Sequence, residues 1–304
     1  MSASSDYLTL LDATINHLEA ARRRGERFVT VDASLLKELA QPHSVHAARP
    51  AVASASAPSV RPDPAPAAPA TVSVADLPAP FPGVAPSVPA ASPSQPITDK
   101  DAAIAELKER VLRCVTCAHL ASSRKSVVFG VGSIHASLMF VGEAPGADED
   151  LAGEPFIGAA GQLLTKIIQT MGLSRESVYI ANVLKCRPDT PGERSGNRKP
   201  THEEMATCLP YLREQIRIIQ PKVIVALGAT AVEGLFARSP IAISKLRGQW
   251  MQYDGIDVMP TFHPSYVLRN QALATKRETW EDMLAAMERL GMPISEKQRG
   301  YFLR

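Results

Sequence analysis

Four short apolar runs decide what the second half of this chain can become: Ser137 to Gly142 (SLMFVG), Val178 to Cys186 (VYIANVLKC), Lys222 to Gly228 (KVIVALG) and Asp257 to His263 (DVMPTFH). Each is too short for a buried helix and rich in Val, Ile, Leu and Met, as expected of strands covered on both faces. Each is followed by a helical pattern, near 161–171, 201–219, 229–236 and 276–290. Strands alternating with helices imply parallel crossovers, so residues 98–304 are expected to form an α/β fold around a four-stranded parallel sheet. Thr201, with Glu204 three residues on and Pro200 before it, is a helix-start signal. Parallel sheets of this kind take ligands beyond the carboxyl ends of their strands. Gly142-Glu143-Ala144-Pro145-Gly146, Asn182 to Cys186 and His263-Pro264-Ser265 all fall there.

The rest of the chain reads differently. Residues 41–97 hold 14 of the 25 prolines and are dominated by Ala, Pro, Ser and Val. Too few large apolar side chains are present to offset the entropy of ordering, so a disordered, partly extended linker is expected. Residues 1–40 carry Leu8, Leu11, Ile15 and Leu18 at helical spacing, a basic cluster at Arg22, Arg23, Arg24 and Arg27, and a second helical stretch from about Ala33. A short helical segment is expected there, with the arginines on a solvated helix end. Asp6, Asp12 and Asn16 interrupt the first apolar positions, which argues against a secretory signal, and no run reaches the length needed to span a membrane. A cytoplasmic protein with no membrane association is expected. Residues 98–304 carry 26 Lys and Arg against 23 Asp and Glu. That tilt permits nucleic acid as a partner without predicting it, because a local basic patch matters more than the total.

The chain has four cysteines: Cys114 and Cys117 in a C-x-x-C, then Cys186 and Cys208. In a reducing compartment such a set reads as ligands rather than disulfides, since a two-residue gap lets two sulfurs face one centre. Spacing leaves structural zinc and an iron-sulfur cluster equally open. Gly130-Val131-Gly132 suggests a dinucleotide fingerprint, but His135 stands where its third glycine belongs.

Residues 142–150 (GEAPGADED), 153–158 (GEPFIG), 161–164 (GQLL), 182–188 (NVLKCRP), 197–201 (NRKPT) and 263–265 (HPS) together closely resemble the motifs of the family 4 uracil-DNA glycosylases, the iron-sulfur members of their superfamily. The resemblance covers about residues 100 to 292. It implies a three-layer α/β sandwich around a four-stranded parallel sheet, hydrolysis of the bond joining uracil to deoxyribose in DNA, and a role in base excision repair. By the same resemblance His263 is the catalytic residue, donating a hydrogen bond to the uracil O2. Asn182 reads the base, because one amide can pair with the O4 acceptor and the N3 donor of uracil but not with the reversed pattern of cytosine. Phe156 stacks on the extruded base, and Gly142 opens the motif among the substrate-binding residues. Glu143 positions water or stabilises charge, whereas Glu149 is the steric gate against the thymine methyl group. Ala144 stands where the best-known uracil glycosylase family has a catalytic aspartate. Tyr266 to Leu268 resemble a loop that enters the duplex, with Ser265 or Arg269 on phosphate. Lys185, Arg187, Arg198, Lys199 and Arg247 are further phosphate candidates. The four cysteines are implied to hold a 4Fe-4S cluster, with structural zinc as the alternative.

Two other readings compete. A relative that captures uracil-DNA covalently uses a histidine in a basic insert near 192–199, but no histidine precedes His202 here. A non-catalytic sensor with structural zinc is at odds with the presence of Asn182, Phe156 and His263 together. Uracil-containing DNA, single- or double-stranded, is the expected partner of a monomer. Residues 1–40 are expected to tether it to a repair or replication protein through the linker.

Overall fold

In the computed structural model of the chain, residues 71–72, 99–190, 197–238 and 240–303 are described. The expected helices of residues 1–40, most of the 41–97 stretch and the insert 191–196 lie outside them. In chain order the strands are β1 (Thr71–Val72), β2 (Val131–Gly132), β3 (Leu138–Gly142), β4 (Tyr179–Asn182), β5 (Val223–Leu227), β6 (Trp250–Tyr253) and β7 (Ile256–Thr261). The helices are α1 (Lys100–Leu112), α2 (Ala118–Ser123), α3 (Ala147–Ala152), α4 (Ala159–Thr170), α5 (His202–Ile219), α6 (Ala229–Phe236), α7 (Ile243–Leu246), α8 (Pro264–Arg269), α9 (Leu273–Arg289) and α10 (Glu296–Arg299).

The four expected strands are the parallel centre of the sheet, in the spatial order β4-β3-β5-β7. The sheet is wider than expected and mixed. β2 is antiparallel to β4 at one edge, and β6 runs antiparallel to β7 at the other. Beyond β6, Thr71 and Val72 pair in parallel with Trp250 and Met251. Two residues of the linker expected to be disordered thus form a short strand, whose main-chain groups pair with those of β6. The second apolar run also stops short: β4 ends at Asn182, and Val183 to Cys186 leave the ladder.

Alternation along the strands builds two cores. Met139 and Val141 of β3, with Ala181 and Ile224, face Leu209, Leu212 and Ile216 of α5 and Val232 and Leu235 of α6. Leu138 and Phe140, with Ile180 and Val225, face Leu164 and Ile168 of α4 and Trp280, Met283 and Met287 of α9. Helices on both faces of one sheet give the three-layer sandwich. α5 starts as its sequence predicts. The Thr201 hydroxyl accepts from the Glu204 N–H at 3.2 Å, and the Glu204 carboxylate accepts from the Thr201 N–H at 2.8 Å. All the described residues belong to one compact unit, which begins after residue 63. No described helix is long and apolar enough to cross a membrane.

Candidate active site

A cavity of about 500 Å³ opens at the carboxyl ends of β3, β4, β5 and β7, where the turns after each strand converge. Glu143, Glu149, Phe156, Asn182, His263, Ser265 and Arg269 all line it, so residues more than 100 positions apart in sequence meet as expected. Gly142 lies underneath. A Cβ there would collide with the Asn182 side chain and the Phe156 ring, so only glycine lets the two approach.

Phe156 is held hard. It is buried and sits at φ 57°, left-handed backbone that is unfavourable for an aromatic residue. Three groups fix it. Arg175 donates to the carbonyls of Pro155 at 2.7 Å and Phe156 at 3.1 Å. Gly161, at the start of α4, leaves room for the Phe156 carbonyl, with which any Cβ would overlap. The Glu149 carboxylate accepts from the N–H groups of Ile157 (2.8 Å), Gly158 (2.9 Å) and Gly146 (3.0 Å). Glu149 is therefore a loop anchor as well as a pocket residue. Asp150, one residue on, is buried and accepts from the N–H groups of Lys125 and Ser126. Charged groups here close backbone donors instead of facing water.

Asn182 is 2% exposed, and its Oδ1 has no hydrogen-bond partner. A buried acceptor left open by the described residues takes its donor from water or a ligand in the cavity. Across the cavity the His263 ring lies 5.9 Å from that of Phe156, centroid to centroid. Its Nδ1 accepts from the Ser265 N–H at 3.1 Å and is 2.8 Å from the Ser265 hydroxyl. Nδ1 being an acceptor, the neutral ring carries its proton on Nε2. Burial, aided by the Arg269 charge and opposed by Glu149, pulls the His263 pKa down to about 4. The ring is neutral at physiological pH and can donate without being cationic.

Glu143 is pushed above the ordinary carboxylate range by burial, against the Thr230 hydroxyl and the Lys199 charge, with Glu233 adding to the rise. Lys199 itself bonds the buried Glu233 at 2.5 Å. A carboxylate raised in this way is a stronger base than a solvated one. Gly228, at φ 93°, lets the start of α6 pass close to His263, whose Cβ would stand 3.0 Å from any Cβ placed there. Arg175, Thr230, Glu233 and Gly228 went unnoticed in the sequence. Only the glycine at the end of an apolar strand carried a local signal.

The expected DNA contacts sort less simply. Lys185 is 1% exposed and bonded internally, so it cannot reach phosphate. Arg247 pairs with the buried Asp282 at 2.6 Å, and Asp282 also takes the Thr261 hydroxyl. Arg247 ties the segment after α7 to α9, and Asp282 ties α9 to β7. Arg198 is committed to Glu204, Lys199 to Glu233, and Arg187 donates to Asn197 at 2.8 Å. Arg269 is exposed at the cavity rim. Ser265 is turned to His263. The expected loop at Tyr266 to Leu268 is helix α8, with Val267 buried and Tyr266 and Leu268 outward, 40% and 38% exposed. A helical turn presents the two apolar side chains more rigidly than a loop would.

Cys114 follows α1, Cys117 caps α2, Cys186 follows β4 and Cys208 lies in α5, and all four line one small cavity with Arg124 and Tyr211. Arg124 donates to Cys186 Sγ at 3.0 Å, and the Lys185 N–H to Cys208 Sγ at 3.3 Å. Such donors suit thiolates. Burial pushes Cys208 up to about 12 and raises Cys117 and Cys186, whereas for Cys114 the Thr116 and Tyr211 hydroxyls outweigh it and lower the thiol. Among the described residues no three Cys, His, Asp or Glu side chains close around a single-ion position. Four cysteine sulfurs lining one cavity are a donor set that a 4Fe-4S cluster or a zinc ion accepts.

The family model described as Uracil DNA glycosylase superfamily matches residues 129–284. The chain is 46% identical over 179 residues to the type-4 uracil-DNA glycosylase of Thermotoga maritima, covering 58% of this chain and 89% of that protein. It is 40% identical to that of Sulfurisphaera tokodaii over 65% of this chain and 89% of the relative. To that of Archaeoglobus fulgidus it is 39% identical, over 65% and 96% respectively.

Proposed function

This chain belongs to the uracil DNA glycosylase superfamily as a type-4 uracil-DNA glycosylase, a DNA-repair hydrolase, and we propose that it extrudes deoxyuridine into the cavity between Phe156 and His263 and hydrolyses it there. The observation that carries this reading is the unpartnered Oδ1 of buried Asn182. Uracil N3–H supplies the missing donor, and the Asn182 amide donates in return to O4. Cytosine offers an acceptor at N3 and a donor at the adjacent exocyclic position, so one fixed amide orientation rejects it. Phe156 replaces the stacking that the base loses on leaving the duplex.

As the C1′–N1 bond breaks, its electron pair moves into the uracil ring and toward O2. His263 donates from Nε2 to that oxygen, an interaction that strengthens as charge develops. Water adds to C1′, and Glu143 accepts its proton. Glu149 holds Phe156 and the 157–158 backbone at the distance where a thymine methyl group would intrude. Tyr266 and Leu268 fill the gap left in the duplex, and Arg269 meets phosphate. Cys114, Cys117, Cys186 and Cys208 would hold a 4Fe-4S cluster. When bound, it would supply a covalent tie among α1, α2, α5 and the segment after β4, since hydrolysis transfers no electrons. Residues 1–40 would tether the enzyme to a repair or replication partner.

The test is single-turnover cleavage of oligonucleotides carrying uracil, thymine or cytosine, with iron and sulfide assayed on the same anaerobically purified sample. Abasic-site formation with uracil alone, lost in Asn182→Ala, is the expected result. Equal rates for uracil in wild type and Asn182→Ala would overturn the base-reading role, and zinc in place of iron would overturn the cluster.

A further inference from the structure

Lys185 is the buried charged group for which the reaction has no use. Its Nζ donates to the main-chain carbonyl of Asn182 at 2.9 Å and to Gln215 Oε1 at 2.6 Å. Gln215, also fully buried, is fixed in turn by the Phe129 carbonyl at 2.9 Å and the Tyr179 hydroxyl at 3.1 Å. The ammonium is therefore clamped in place under the end of β4. Its own backbone runs the other way: the Lys185 N–H donates to Cys208 Sγ at 3.3 Å, and the next residue is Cys186. Among the described residues no carboxylate pairs with Lys185.

Among the described residues none bonds Asn182 Oδ1. Its aim thus depends on the backbone beneath it. On one side Val183 N–H and Leu184 N–H bond the carbonyls of Gly142 and Glu143 at 2.9 and 3.0 Å. On the other the Asn182 carbonyl is held by Lys185.

We infer that Lys185 is a positioning residue that, clamped by Gln215, fixes the backbone of Asn182, so that base discrimination depends on a buried side chain that does not itself touch the base. The inference rests on Asn182 being the base reader.

The test uses the full-length, anaerobically purified chain and oligonucleotides carrying 2′-fluoro-deoxyuridine or 2′-fluoro-deoxycytidine, whose glycosidic bonds resist hydrolysis, so that binding is read without turnover. Lys185→Met, similar in length but uncharged, is expected to narrow the uracil-over-cytosine affinity ratio about tenfold, the worth of a well-placed hydrogen bond. Gln215→Met, which loosens the lysine without removing it, is expected to narrow the ratio by a smaller factor, and it carries the test if Lys185→Met does not fold. A purely structural role would lower the melting temperature and leave the ratio unchanged. Folded, iron-containing Lys185→Met with a wild-type ratio would overturn the inference if Asn182→Ala abolishes discrimination in the same assay. If Asn182→Ala also keeps the ratio, the base-reading premise fails instead.

Discussion

At the scale of single residues, the site is assembled from groups kept in one chemical state before substrate arrives. His263 is neutral with its Nε2 proton available, and Asn182 presents an acceptor that nothing else satisfies. In the proposed reaction each acts most strongly in the transition state. Asn182→Ala and His263→Ala should therefore each lower the single-turnover rate on uracil by roughly 10²- to 10³-fold, with much smaller changes in DNA affinity. The pH dependence should separate the two ionisable groups. Glu143 titrates above its ordinary 4.5 and, in the proposed reaction, must be ionised to accept a proton, whereas His263 titrates at about 4 and in that reaction must be neutral. As pH falls, the first loss of rate belongs to Glu143. Glu143→Gln should be slower at neutral pH and lack that limb, keeping only the fall near 4, as read from rate against pH.

At the scale of elements, short segments are locked to one another by charged groups that close backbone donors. Glu204 is the clearest case, joining the start of α5 to His119 of α2 at 2.6 Å and to Arg198 at 2.5 Å. Burial opposes its charge, but Arg198, His119 and the Thr201 N–H outweigh this and bring its carboxyl down to about 2. Its folded pKa being depressed, the contribution to stability is complete above the unfolded carboxylate value near 4.5 and is lost as pH falls through about 2. Glu204→Gln should lower the melting temperature at neutral pH, and the gap from wild type should close in strong acid. Gly161→Ala should push the Phe156 carbonyl out of place and slow cleavage on the order of 10²-fold without unfolding the chain, a change that kinetics and circular dichroism would distinguish. The central strands were legible in the sequence because burial on both faces demands uninterrupted apolar runs. β6 was not, since Trp250-Met251-Gln252-Tyr253 is brief and its partner adjoins it through a tight turn at Asp254-Gly255. The motif residues could be placed from resemblance. The anchoring work of Glu149 and the burial of Lys185 could not, because both depend on backbone groups brought near only by folding.

At the scale of the whole molecule, the catalytic lobe and the preceding tail are not as separable as composition suggests. Deleting residues 1–63 should leave cleavage of short oligonucleotides within about twofold of wild type, because no described element would be lost. On the proposal that the four cysteines hold a cluster, removing it with a chelator should lower the melting temperature and weaken DNA binding together, since α1, α2 and α5 meet at that cavity. A deletion that continues through residue 98 is a different matter. Thr71 and Val72 lie against the outer side of β6, whose main-chain donors and acceptors would otherwise face solvent in a row. An open row of this sort recruits strands from neighbouring molecules. The proline-rich tail, unsuited to building a core, is thus suited to being a stopper: two of its residues complete the ladder. Trimmed preparations would then be expected to self-associate over time while fresh material remained fully active, which light scattering would register before any loss of turnover.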